Sequence, residues 1–178
     1  GFTIDQPGQE NLYVNIIDDI QQVAENIGTN TIYQKFGSDI NTMTDREVAK
    51  VKSPKFYECS GSSVACNNQF SSIKNIFAIA EEEPEATHIV ITHLALQDSQ
   101  LLASDREAIT GPLISILKQG KSIGIIAVMN SFNGKIDNIP LRNGEYTDYV
   151  DAESRPFFVL VIGNQNNINR IKSEIEEK

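Results

Sequence analysis

Three short apolar runs constrain this chain more than anything else in it: residues 87–94 (THIVITHL), 122–129 (SIGIIAVM) and 156–162 (PFFVLVI). A strand with one wet face alternates apolar and polar residues, so an unbroken apolar run predicts a strand covered on both faces. The cover must come from amphipathic helices, and the sequence supplies them. Tyr13, Ile16, Ile17, Ile20, Val23, Ala24 and Ile27 recur at spacings of three and four, which predicts a helix over 12–27 closed by Gly28. Phe70, Ile73, Ile76, Phe77 and Ala80 predict a second over 68–82, ended by Pro84. Ser104-Asp105-Arg106-Glu107 has the capping-box pattern and starts a third, which runs towards Gly120 and is kinked or divided at Gly111-Pro112. Ile168, Ile171 and Ile175 line one face of a closing helix.

Residues 31–36 (TIYQKF) alternate and are rich in β-branched and aromatic residues, which predicts a first strand ending at Gly37, and weaker strand signals at 47–51 and 55–57 around Pro54 suggest an edge hairpin. Asn133-Gly134 between two apolar stretches predicts a two-residue hairpin turn. Strand and helix alternating at this rhythm indicate parallel crossover units. The expected class is therefore α/β: a three-layer, Rossmann-like open sheet, mostly parallel, with an antiparallel edge hairpin. With 178 residues the chain makes one domain, 1–178, which buries roughly two-thirds of its unfolded surface. The first helix has no strand before it, since 1–9 is short, polar and broken by Pro7 and Gly8. The chain thus reads as a fragment of a longer one. The vacancy is expected to be filled by an upstream segment, a neighbouring chain's strand, or Phe2 to Asp5.

A formal charge of −9 argues against nucleic acid and anionic membrane, which would repel it. No stretch approaches the ~20 apolar residues that span a bilayer. Cys59 and Cys66 lie in a Ser/Gly loop, ECSGSSVACNN, that leaves two readings open. Two free thiols place the protein in the cytoplasm, the preferred compartment; a disulfide closing about eight residues places it outside.

In the order of its elements, the edge hairpin after the first helix, and the apolar strand followed by a polar loop, the chain resembles a von Willebrand factor A-type domain entered just after its first strand. That resemblance implies a protein-binding or scaffold role and a divalent-cation site, Mg or Ca, at the carboxyl ends of the strands. The family's Asp-x-Ser-x-Ser motif is not in this sequence. In place of its second-loop threonine stand Ser60, Ser62 and Ser63, and His93 occupies the position of its aspartate after the fourth strand. Asp98 lies farther along the same rim. An imidazole in place of a carboxylate suits these oxygen-seeking cations poorly, so the site is expected to be degenerate or absent.

Chemistry independent of that resemblance is sparse. His93 with Asp98 is a candidate acid/base pair, giving a hydrolase or nucleotide-processing enzyme as the alternative function. His88 and His93 are five apart on one strand and point to opposite faces, so they cannot share an ion. Ser60-Gly61-Ser62 is no nucleophile elbow. Residues 163–167 (GNQNN) open the last helix where an anion can bind, but the simpler reading is a glycine turn capped by Asn166 or Asn167. The acidic stretch 146–154 (YTDYVDAES) reads as a polar loop. No complete catalytic set emerges, so the preferred function is a noncatalytic protein-binding domain whose partner is another protein or an upstream segment.

Overall fold

The structure, a computed structural model, describes residues 11–27, 30–37, 39–53, 56, 72–94, 103–140 and 146–176. Helix α1 (Leu12–Ile27) comes first, headed by Asn11, whose Oδ1 accepts the Val14 N–H at 3.2 Å. Strands β1 (Gln34–Phe36) and β2 (Ile40–Thr42) then form a small antiparallel hairpin, followed by the single turn α2 (Asp45–Val48). Helix α3 (Ile73–Glu82) leads to strand β3 (His88–Thr92), and α4 (Ala103–Lys118) leads to β4 (Ser122–Pro140). Strand β5 (Tyr146–Gly163) pairs back along β4, and α5 (Gln165–Glu176) follows it.

The main sheet has the order β3-β5-β4. Strand β5 is antiparallel to both neighbours, with Val90 opposite Leu160 on one side and Ile125 opposite Leu160 on the other. Strands β3 and β4 consequently run in the same direction one position apart, joined by α4, with β5 inserted between them. Successive β5 side chains alternate between the two faces. Phe157, Val159 and Val161 enter a core with Ile16 and Val23 of α1 and Ile168 and Ile171 of α5. Leu160 and Ile162 enter another with Ile73, Phe77 and Ala80 of α3, Val90 of β3 and Ile116 of α4. Tyr13 of α1 meets Phe157 edge-on, with ring centroids 5.1 Å apart, a favoured aromatic geometry.

The mostly parallel, Rossmann-like, A-type sheet expected from the sequence is therefore not what forms: every strand pairing in the described residues is antiparallel. The strand that does lie beside β3 is the antiparallel β5, on one side; on the other side no described strand pairs with β3. The physical reason lies in residues 130–154. The Asn133-Gly134 pair is not a turn; Asn133 faces Ala152 and Gly134 faces Asp151 in a continuous ladder. The two strands are joined instead through 141–145, which contains a second Asn-Gly, Asn143-Gly144. The stretch 146–154, expected to be a polar loop, is the first half of β5. Lengthening both strands sends β5 back antiparallel into the sheet centre.

Two smaller expectations also change. The edge hairpin is formed by β1 and β2, and Glu47 lies in a helical turn. Thr44 and Glu47 make a reciprocal capping box, with the Thr44 side chain meeting the Glu47 N–H and the Glu47 carboxylate meeting the Thr44 N–H at 3.0 Å. Hydrogen bonds from the Lys35 side chain and from Thr44 hold that carboxyl at about 2, well below its ordinary range. Helix α4 passes through Gly111 and Pro112 as one element, because Ile109, Leu113 and Ile116 on either side of them share one buried face. It ends at Gly120, whose φ of 80° is the left-handed conformation expected of a residue just past a helix. Gly28 and Phe70 lie outside the described residues.

Gly163 shows how closely this centre is packed. A Cβ at this position would lie 2.8 Å from Thr87 Oγ1 and 3.2 Å from Thr87 Cβ, and Thr87 is short, branched and stiff at χ1, with its Oγ1 held by Asn167. Gly163→Ala is expected to destabilise the protein by about 1–3 kcal/mol, measured as a lower urea midpoint at unchanged m; an unaltered midpoint would mean that β3 and β5 are not packed this tightly.

Candidate functional site

At the carboxyl end of β3, Thr92 is buried and its Oγ1 accepts the Leu94 N–H at 3.2 Å. Leu94 follows with a positive φ of 50°, an uncommon conformation for a branched residue, so the chain turns sharply here. His93 sits in this turn, exposed. The density of chain around its ring lowers its pKa below the ordinary 6.5, while its surface is open to water. Because solvent reaches the side chain directly, that lowering has little effect on stability. Asp98, Ser60, Ser62, Ser63, Cys59 and Cys66 lie outside the described residues, so neither a cation set, a His93–Asp98 pair nor a cysteine bridge is brought together in them. Among the described residues no group of three or more His, Cys, Asp or Glu side chains is gathered to hold a metal ion.

The opposite end of β3 carries more polar structure. Lys121, in the turn between α4 and β4, is only 6% exposed. Its Nζ donates to the Ala80 carbonyl at 2.9 Å and the Glu83 carbonyl at 2.8 Å. These are last-turn oxygens of α3, which the helix itself cannot satisfy, and a cation there also meets the negative end of the helix dipole. Burial lowers the Lys121 pKa, opposed by the charges of Glu85 and Glu83. His88, the first residue of β3, lies beside this contact. Its Nε2 is buried with no hydrogen bond, and the nearest Glu83 carboxylate oxygen is 3.9 Å away. Burial lowers the His88 pKa and the Lys121 charge lowers it further, while the Glu83 carboxylate and backbone pull it upward.

The candidate anion site at the start of α5 is closed by the chain itself. Asn164 Oδ1 accepts the Asn167 N–H at 2.9 Å, so the cap is Asn164 rather than Asn166 or Asn167. The Asn167 side chain donates to Thr87 Oγ1 at 2.8 Å and ties α5 to the entry of β3. A shallow groove of about 330 Å³, lined by Asp39, Ile40, Asn75, Ala78, Ile79 and Glu82, runs between β2 and α3, away from both histidines.

The least covered part of the sheet is β4. On the face of α1 and α5, Ile126 and Val128 are packed. On the face of α3 and α4 the cover stops between strands: Leu160 of β5 is 2% exposed, but its cross-strand partner Ile125 is 64% exposed. Met129 on the same face is 54% exposed, and Ala127 between them is exposed as well. Strand β4 is also one of the two outer strands of the described sheet, and its residues 122–134 (SIGIIAVMNSFNG) contain neither a charge nor a proline. The unbroken apolar run 122–129 predicts a strand covered on both faces, but only one face of β4 is packed along its length; the signal that marks such an edge is the lack of a gatekeeper charge from 122 to 134.

Set against models of protein families, curated proteins and solved structures, the chain matches none. No helix among the described residues is long and apolar enough to cross a membrane.

The Lys121 contact makes a direct prediction. Lys121→Met keeps the apolar stem but leaves the Ala80 and Glu83 carbonyls without their donor, at an expected loss of about 1–3 kcal/mol in urea unfolding. An unchanged midpoint would show that water replaces the ammonium without cost.

Proposed function

We propose that this chain is a noncatalytic protein-binding domain that receives its partner on the uncovered face and outer edge of β4. The observation that carries the reading is the exposed row Ile125, Ala127 and Met129 on a strand that bears no charge from Ser122 to Gly134. Monomeric proteins blunt an exposed strand with lysine, proline or a bulge, because its free N–H and C=O groups recruit other strands. This strand has none of these over the stretch in question; its register shift falls farther along, between Ile136 and Ile139. An extended partner segment pairing here gains main-chain hydrogen bonds along the edge and apolar contact from alternate side chains.

Such a partner is a protein rather than nucleic acid, because a chain with a net charge of −9 repels a polyanion. The von Willebrand factor A-type resemblance supports only the binding role in this reading, not the sheet that goes with that family. The enzymatic alternative gains no support from the described residues, since His93 stands exposed at the end of its strand.

Two equally exposed isoleucines allow a clean test, Ile125 at 64% and Ile32 at 63%. A photoreactive amino acid at position 125 is expected to cross-link a discrete protein in the native host, and the same group at position 32 is not. Ile125→Lys should abolish that product when the label is moved to position 129, while changing stability by no more than about 0.5 kcal/mol. Equal labelling from 32 and 125, or a product unaffected by Ile125→Lys, would exclude β4 as the binding surface.

A further inference from the structure

We propose that the junction of α3, β3 and the α4–β4 turn is a proton-operated latch, in which protonation of His88 loosens the grip of Lys121 on the end of α3. The parts are already in contact. Lys121 Nζ holds the Ala80 and Glu83 carbonyls, so the root of β4 is fastened to the last turn of α3. His88 stands next to that fastening with its side chain 15% exposed and its Nε2 buried and unbonded. A buried ring nitrogen that makes no hydrogen bond is costly to keep, and the nearest acceptor, the Glu83 carboxylate, is beyond hydrogen-bond reach at 3.9 Å.

The charges around His88 decide the direction of the effect. From the α3–β3 connection comes Glu83, whose carboxylate is 3.9 Å away but 60% exposed, so water screens its attraction. From the α4–β4 turn comes Lys121, a like charge. Across the sheet the partner of His88 on β5 is Ile162, which carries none. A proton taken from solvent therefore creates a second cation near Lys121, at a junction whose counter-charges, Glu83 beside the ring and Glu85 beside Lys121, stand exposed and are screened by water. In the opened junction the ring is hydrated and its pKa returns to the ordinary 6.5. Because the closed form holds the proton less tightly, the latch is intact above about pH 6.5 and opens as pH falls below it, by up to tenfold per pH unit for a single linked proton.

This mechanism does not depend on what binds β4, and its test needs no partner. Amide hydrogen exchange is measured on the full chain at about pH 7.5 and about pH 5.5, corrected for the intrinsic pH dependence of exchange. The wild type is expected to lose at least about threefold protection at Glu83 and Lys121, whose N–H groups bond the Ile79 and Ile116 carbonyls across the two ends of the latch. His88→Gln should show no such pH dependence, and His93→Gln should retain it. Glu83→Gln, which leaves the ring in place and removes the counter-charge beside it, should enlarge the response, and it carries the test if His88→Gln does not fold. Wild-type protection that is flat between the two pH values, a response that survives His88→Gln, or a smaller response in Glu83→Gln would overturn the latch.

Discussion

Strand β5 is the constraint on which the rest of the structure depends. Phe157 and the four residues from Val159 to Ile162 are all nearly inaccessible, and the segment is hydrogen-bonded on both sides, to β3 and to β4. Each such side chain removed from water contributes about 1.5–3 kcal/mol, and alternate ones supply different cores. Remove the strand and α1 with α5 loses its floor, α3 with α4 loses its own, and β3 and β4 lose the only partner each has in the described sheet. Ordinary substitutions within it are therefore felt on both faces at once.

Placing β5 at the centre fixes where function can reside. Strand β4 becomes an outer strand, and on the face of α3 and α4 its packed side chains stop at Ile123, so Ile125 and Met129 stay uncovered. A protein that must remain apart from its neighbours would be expected to guard such a strand with charge. The polar contacts collect at the entry of β3 instead, where Lys121 ties α3 to the root of β4 and Asn167, through Thr87, ties α5 to β3. The surface proposed for binding and the junction proposed to respond to protons lie on the same strand, β4.

Much of this was legible in the residues. The three-and-four spacing of Ile16, Ile17, Ile20 and Val23 marked α1, the runs IVIT and FFVLVI marked β3 and the core of β5, and Gly120 marked the end of α4. Direction was not legible. A continuous apolar run reports that both faces are covered, but a central antiparallel strand meets that condition as well as a parallel one. Asn133-Gly134 misled because a turn signal acts only when its flanks pair with each other, and here they pair with 151–154 instead. The box of Thr44 and Glu47 was readable from spacing alone and lost to the β-branched residues nearby. For the candidate site, His93 drew attention as a histidine at a strand end, whereas Lys121 gave no signal: its acceptors lie some forty residues away in sequence and meet it only in the folded chain.

The account rests on β5 lying between β3 and β4, and interstrand nuclear Overhauser effects in isotope-labelled protein test that most directly. Backbone and methyl contacts are expected from Leu160 to both Val90 and Ile125, with the neighbouring pairs, Val159 with Ile91 and Val159 with Ile126, following in antiparallel register. Contacts running directly between β3 and β4 in parallel register, with Leu160 touching neither Val90 nor Ile125, would contradict it.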